Sequence, residues 1–513
     1  MNLLEAFTLP KGGTATEIVF WDPDPVAFSS DQLAHDSERA RNWYAQHYEP
    51  GETVAMLLTA SASCCTNLFG AWRAGLTVAS LPIPARGASM EHYARQLRDL
   101  VAVVGAREIF AEGTYCELLK LIEIEASPFE GIHSDDSAED TDGATLVQFT
   151  SGTTSQPKGV VLPIERVLAN ATTIAQHLQI RDGEIAFSWL PWSHDMGLVG
   201  MLLVPLVANR EVRQGALHVG KPEHFVANPG LWLQRCADIG ASITAGPDFA
   251  MRVAVRAAQR SFSGSLERLR CVITGAEPIR TSTIEMFTNE FCPRGMRASA
   301  ITPAYGLAEA TLAVTIAPID EVPMVVPTSA VDREGLATAT LSASETFQVG
   351  CGSPLPGVDL GFSEDGIMSI SGPSMMTGYL TEQGFTPAGS PFETRDVGVM
   401  RDGQLFVRGR HDDLLIVAGR KFFAHDVEAV VECLPGVHDG GCVTVGRERL
   451  DIIVESTSAE DSGAALEREI RSEVARHFGA PVGQVVIVPH YAVMKTTSGK
   501  KQRLQTALQY LQQ

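Results

Sequence analysis

Cysteine is sparse and unordered in this chain: nine residues in 513, an odd number, with no C-x-x-C pair. That pattern argues against a disulfide framework or a cysteine zinc site and favours a reducing cytoplasm. Positive charge is the minority, 40 Lys and Arg against 61 Asp and Glu, giving a net charge of −21 and a pI near 5.1. Such a balance disfavours nucleic acid or an anionic membrane as partner. The N-terminus shows no basic-then-apolar signal pattern, and Glu5 comes early. The longest apolar run, Met196 to Ala208, is broken by Pro205 and falls short of the roughly 20 residues that span a bilayer. No internal repeat is visible. What remains is a soluble globular composition, 45% apolar, and a length that calls for two or more domains.

Along the chain, residues 15–140 alternate helical patterns with short apolar strands such as Thr53–Leu58. Asn67–Gly75 reads as a helix closed by a glycine cap, and Val78–Pro84 as a strand cut off by prolines. The acidic stretch Glu130–Asp142 reads as a surface linker. Strand candidates recur at Ile185–Leu190, Ala241–Ala245, Leu269–Thr274 and Ala298–Thr302, which predicts a largely parallel sheet with helices on its faces. Residues 350–408 read as a small β-rich subdomain of hairpins, followed by a compact α+β segment. The expected fold is α/β: a large N-terminal domain, 1–409, of layered α/β subdomains plus the β-rich one, then a small C-terminal domain, 410–513.

One loop stands out. Of the eleven residues Phe149-Thr150-Ser151-Gly152-Thr153-Thr154-Ser155-Gln156-Pro157-Lys158-Gly159, eight are Thr, Ser, Gly or Lys. Hydroxyls, closely approaching backbone N–H groups and one ammonium are the equipment for cradling a polyphosphate. The loop is not a Walker A motif, because Pro157 precedes Lys158 and Gly159 follows it. Alone it also reads as a polar surface turn.

Further segments accompany it: Trp189 to Leu198 with His194-Asp195-Met196-Gly197; Thr274-Gly275-Ala276-Glu277-Pro278; Ala304-Tyr305-Gly306-Leu307-Ala308-Glu309-Ala310; Thr394-Arg395-Asp396-Val397-Gly398; Gly409-Arg410-His411-Asp412-Asp413; and Lys495-Thr496-Thr497-Ser498-Gly499-Lys500. In this order and spacing the set resembles the adenylate-forming superfamily of acyl-CoA synthetases, luciferases and peptide-synthetase adenylation domains, over nearly the whole chain. The segments around His194, Gly275 and Tyr305 look most like fatty-acyl-AMP ligases, as does Val331-Asp332-Arg333-Glu334-Gly335-Leu336, which is similar to part of those ligases' insertion.

The resemblance implies ATP and Mg²⁺ as cofactors and a carboxylic acid as substrate. Acyl-AMP would form with loss of pyrophosphate, followed by transfer to a carrier-protein phosphopantetheine. Catalysis of this kind is positioning and charge neutralisation. Thr150, Ser151, Gly152, Thr153, Thr154 and Lys158 would hold the leaving phosphates. Glu309 would hold Mg²⁺, which takes oxygen ligands. Tyr305, with Gly306 and Leu307, would stack on adenine against the backbone of Gly275, Ala276 and Glu277. Asp396 would accept the ribose hydroxyls, since a carboxylate takes two donors at once, and Arg410 would complete that contact. The family usually has Gly where this chain has Arg395. Lys500 would bridge the substrate carboxylate and the α-phosphate. Asp412 would be the hinge of a mobile C-terminal domain. His194 would close or orient the acyl pocket, whose further residues are Asp195, Gly246 and Asp248. Asp195 or Asp248 would also meet a substrate amine. Lys495 and Lys501 read as surface lysines, and the basic residues near 408–421 and 500–503 as a docking face for an acidic carrier.

Free coenzyme A as acceptor stays open. So does an aryl, amino or nitrogen–oxygen acid, since the chain is short for a fatty-acyl-AMP ligase. A non-catalytic nucleotide-binding scaffold is the remote alternative, and retention of Lys500, Glu309 and the loop argues against it.

Overall fold

The computed structural model describes residues 17–22, 24–84, 89–149, 157–208, 215–331, 347–446, 448–457, 463–495 and 501–511. Two large mixed sheets, rather than one, organise the first part of the chain. In the first, described strands run in the order Gly384–Pro387, Gly378–Thr381, Gly159–Pro163, Thr145–Phe149, Thr77–Leu81, Thr53–Leu57, Ile109–Ala111 and Ser127–Pro128. Its middle is parallel, but Thr145–Phe149 meets Gly159–Pro163 antiparallel, so the Ser/Thr/Gly segment joins two antiparallel neighbours. The second sheet runs Ser353–Pro354, Ala313–Ile316, Ile301–Gly306, Cys271–Thr274, Ile243–Ala245, Ile185–Ser188, Ala216–Gly220, Glu17–Trp21 and Pro25–Ser29. Its four strands from Ile301–Gly306 to Ile185–Ser188 are parallel. Near-continuous burial along them explains their apolar runs.

Local signals set the boundaries. The helix expected over Asn67–Gly75 starts earlier, spanning Ala62–Arg73, because the Ser61 hydroxyl caps it by accepting from the Cys64 N–H. Gly75 takes φ +74 just beyond it. The strand Thr77–Leu81 stops at Pro82 as expected. The acidic stretch 130–142 holds no helix or strand, yet it is pinned: Asp140 Oδ1 lies 2.6 Å from Arg41 Nη1 and 3.0 Å from Arg73 Nε. Met196–Leu203 winds as a π-helix, and Gly197 is required there, since a Cβ would sit 2.1 Å from the Pro191 carbonyl oxygen.

The β-rich part is a four-stranded antiparallel sheet of Asp359–Phe362, Ile367–Ser371, Phe392–Arg401 and Gln404–Arg410. Beyond it come the hairpin Leu414–Val417/Arg420–Phe423 and a sheet of Val437–Gly446, Leu450–Ser456 and Val482–Val488. Helices Ala424–Glu432, Gly463–Phe478 and Arg503–Tyr510 accompany them, around two apolar clusters of their own, the second holding Ala507. Among the described residues, no helix is long and apolar enough to cross a membrane.

Candidate active site

Parallel α/β sheets collect ligands outside the carboxyl ends of their strands. In the second sheet those ends carry the sequence candidates in succession. Ile185–Ser188 leads to His194 and Asp195, Ile243–Ala245 to Gly246 and Asp248, and Cys271–Thr274 to Gly275–Glu277. Ile301–Gly306 itself holds Tyr305 and Gly306 and leads to Leu307 and Glu309. Four chain-distant motifs therefore share one edge.

That edge is built for close approach. A Cβ on Gly275 would lie 2.7 Å from the Ala304 carbonyl oxygen, and one on Gly306 would lie 1.6 Å from that of Leu312. Ala276 takes φ +66, a conformation that costs a non-glycine residue energy and clusters at functional sites. The Glu277 side chain reaches across to the neighbouring strand's helix. Its carboxylate accepts from the Phe249 N–H at 2.6 Å, at the start of the helix Asp248–Ser261. Burial, with Asp248 beside it, raises its pKa.

Tyr305 donates from its hydroxyl to Asp396 Oδ2 at 2.7 Å. Burial pushes its pKa well up, and Asp396 adds to the effect, so the phenol stays protonated and acts as donor. Asp396 is paired in register with Arg410 across the antiparallel strands, and Arg410 Nε lies 3.6 Å from Asp396 Oδ1. That Nε is buried and has no hydrogen-bond partner among the described residues. A ribose presents the hydroxyls that such a carboxylate and guanidinium would bind. Arg395, one residue earlier, donates to Asp412 Oδ2 at 2.7 Å.

Glu309 sits in the short turn Ala308–Ala310 and accepts from the Tyr379 hydroxyl at 2.7 Å. Lys158 Nζ lies 5.9 Å from the centre of the Tyr379 ring. One tyrosine therefore connects the end of the Ser/Thr/Gly segment to the acidic residue. Tyr379 carried no sequence signal, because an aromatic in the strand Gly378–Thr381 reads as ordinary packing. Glu309 provides the hard oxygen donor that Mg²⁺ favours. Thr150, Ser151, Gly152, Thr153, Thr154 and Lys500 lie outside the described residues, as do 332–336 of the insertion-like segment.

On the acyl side, His194 Nδ1 lies 2.5 Å from Asp195 Oδ1, which also accepts the Met196 N–H at 2.7 Å. The Gln148 amide, just before the Ser/Thr/Gly segment, donates to the Ser193 carbonyl and ties the His194 turn to the first sheet. Gly246 abuts the indole of Trp232, 2.4 Å from where a Cβ would sit. Trp189 stacks on Phe225 at 3.7 Å beside that indole, an aromatic group the motif reading did not single out.

Asp248 is already engaged, and this corrects its reading as a partner for a substrate amine. One oxygen pairs with Arg252 and the other accepts from the Arg280 N–H at 3.0 Å. An incoming amine would have to displace Arg252. Burial raises the Asp248 pKa, and Arg252 opposes the rise. The same arginine reaches Asp439 at 3.1 Å, Arg256 reaches Asp439 at 2.7 Å, and Arg280 reaches Glu432 at 2.9 Å. These pairs join the large sheet region to the C-terminal segment.

Lys501 is not a surface lysine. Its ammonium is buried between Glu428 at 2.9 Å and Glu432 at 2.6 Å. Arg503 adds bonds to Glu428 at 2.7 Å and Asp413 at 2.9 Å. Burial opposes charge on Glu428, yet Lys501 and Arg503 bring its pKa down to about 2. Arg408 is buried as well. The basic clusters therefore spend much of their charge inside the molecule, which weakens their reading as a docking face.

The AMP-binding enzyme family model matches residues 11–380. The chain belongs to that family. A second model, the AMP domain of Disco-interacting protein 2-like proteins, matches residues 412–513. The medium-chain-fatty-acid–[acyl-carrier-protein] ligase JamA of Moorena producens (strain JHB) is 30% identical over 72% of this chain and 68% of its own length. A 4-hydroxyphenylalkanoate adenylyltransferase of Mycobacterium tuberculosis is 26% identical over 97% of this chain and 89% of its own length. A structure from a study of fatty acyl-adenylate ligases from E. coli and L. pneumophila superposes with a TM-score of 0.87 at 23% identity, over 99% of this chain and 97% of that one. This AMP-binding enzyme is thus a ligase with the fold of the adenylate-forming class.

Proposed function

We propose that the protein activates a carboxylic acid, fatty or related, to an acyl-adenylate, and then passes the acyl group to the phosphopantetheine thiol of a carrier protein. The carrying observation is that two residues of the shared edge each meet a partner from another sheet: Tyr305 bonds Asp396 beside Arg410, and Glu309 accepts from Tyr379 beside Lys158. The first group suits a nucleoside and the second a metal-bound triphosphate.

In this reading Tyr305 and the Gly275–Glu277 backbone flank the adenine, and Asp396 and Arg410 hold the ribose. Lys158 neutralises leaving phosphate charge. Glu309 holds Mg²⁺, which, when bound, offsets the charge on the phosphate oxygens. Tyr379 fixes the Glu309 carboxylate by donating to one of its oxygens. His194, held by Asp195, orients the acid's carboxylate toward the α-phosphorus. Lys500 stabilises the negative charge that gathers as the two anions meet. The chain divides at 409–410, and Asp412 is the hinge between the two half reactions. An Asp412→Pro variant should retain one half reaction and lose the other, and wild-type rates in both would refute the hinge. Nine free cysteines suit a cytoplasmic setting.

JamA is a ligase of a medium-chain fatty acid and an acyl-carrier protein, which supports this choice of acid and acceptor. The test incubates enzyme, ATP, Mg²⁺ and a fatty-acid series with either holo carrier protein or coenzyme A. Acylated carrier without acyl-CoA is expected. Acyl-CoA formation with an unmodified carrier would overturn the choice of acceptor.

A further inference from the structure

We propose that His438, Glu455 and His490 form a binding site for a divalent transition-metal ion, zinc by preference, outside the adenylation site. The three side chains come from different parts of one sheet region. His438 lies on the strand Val437–Gly446, Glu455 on the strand Leu450–Ser456, and His490 just past Val482–Val488. Their donor atoms all fall within 4.8 Å of one another.

The spacing fits a small ion. Zinc holds nitrogen and oxygen donors at about 2.0–2.1 Å, so two donors of a tetrahedral ion stand about 3.3–3.4 Å apart. Glu455 Oε2 lies 3.2 Å from His490 Nδ1 and 3.8 Å from His438 Nδ1. A shift of a few tenths of an ångström in the His438 ring brings its distance to Glu455 into that range, and the two rings, half-exposed, must adjust to each other within the 4.8 Å span. Two imidazoles and one carboxylate are a zinc donor set, and the nitrogen pair disfavours Mg²⁺ and Ca²⁺.

Burial adds a second reason. The Glu455 side chain is only 2% exposed, while those of His438 and His490 are 34% and 41% exposed. One Glu455 oxygen accepts the Val493 N–H at 2.8 Å, which orients the other toward the two rings. A buried carboxylate requires compensation, and the half-open rings leave a path for an ion and a water ligand. Within the structure the Val493 N–H and the His490 ring supply that compensation. His438 Nδ1 also lies 3.0 Å from the Asp439 carbonyl oxygen, and metal binding would break that contact.

The test uses the full chain, stripped with chelator and returned to buffer with excess Mg²⁺, then titrated with zinc by calorimetry. One zinc equivalent is expected. It should persist in Glu309→Gln and weaken at least about tenfold in His438→Gln and His490→Gln, since loss even of an outer-shell partner costs 10–100-fold. No saturable equivalent in the wild type, or unchanged affinity in both histidine variants, overturns the site. Cobalt added to the wild type gives a readout that needs no variant. Visible bands of a tetrahedral nitrogen–oxygen site support the proposal. Thiolate charge-transfer bands would place the metal on a cysteine such as exposed Cys433 and overturn it. Absence of both, as expected if the three groups only share a proton, also overturns it.

Discussion

Arg395 donates to Asp412 Oδ2 at 2.7 Å, so the residue before Asp396 grips the proposed hinge. A glycine at position 395 could not make this bond. Both side chains are about half exposed, so the pair is worth roughly 0.2–1 kcal/mol, at most about fivefold in an equilibrium. Arg395→Gly is expected to shift the ratio of adenylation to thioester-forming rates by up to about fivefold at low salt, with thermal stability nearly unchanged. Rates of the two half reactions at low and high salt check this, and the shift should fade as salt rises.

Tyr379 should act through Glu309. Its hydroxyl donates to that carboxylate, and a hydrogen bond to a charged group is worth about 1.5–3 kcal/mol. Tyr379→Phe is expected to raise the Mg²⁺ concentration for half-maximal pyrophosphate release about tenfold or more. Loss of rate with an unchanged Mg²⁺ requirement would contradict this role.

The Glu428–Lys501–Arg503 cluster should make the C-terminal segment acid-sensitive. The folded pKa of Glu428, about 2, lies below its ordinary 4.5. Its contribution is therefore complete above about pH 4.5 and is lost as pH falls toward 2. Lys501→Ala removes the cation shared by the two buried carboxylates, leaving Arg503 on Glu428 and Arg280 on Glu432, and should cost up to about 3 kcal/mol, the low end for breaking a buried pair. Urea unfolding followed between pH 7 and pH 3 measures both effects.

Glu277 has the opposite sign. Its folded pKa is raised above the ordinary 4.5, so protonation favours the fold, and this contribution is lost as pH rises through the folded pKa. Glu277→Gln keeps an acceptor for the Phe249 N–H without the charge. The variant is expected to melt at or above the wild-type temperature at pH 8, with the difference narrowing toward pH 5. Strong destabilisation at pH 8 would show that the charge itself is needed.

Much of this was legible in the sequence because it rests on local pattern. Short apolar runs gave the parallel strands, and Gly275 and Glu309 follow them, with Tyr305 near the end of one, in the motifs that carry the resemblance. The alternation could not show that the strands divide between two sheets, since strand partners are chosen across the chain. Nor could it show that Asp248 is taken by Arg252, that Lys501 is buried between Glu428 and Glu432, or that Tyr379 meets Glu309. Each of these is a long-range pairing or a burial, and a charged or aromatic residue reads the same in sequence whether it faces water or a buried partner. Ser61 was the local signal missed, and it moved the start of the helix Ala62–Arg73.

The most direct test of the central claim is a single-turnover reaction of enzyme, ATP and Mg²⁺ with a panel of fatty and aryl acids, quantified by mass spectrometry. Acyl-AMP and pyrophosphate should appear in equal amounts with at least one acid, and both should vanish in Lys500→Ala. Pyrophosphate release that ignores the acid, or no acyl-AMP with any acid from folded, ATP-binding protein, would contradict the account.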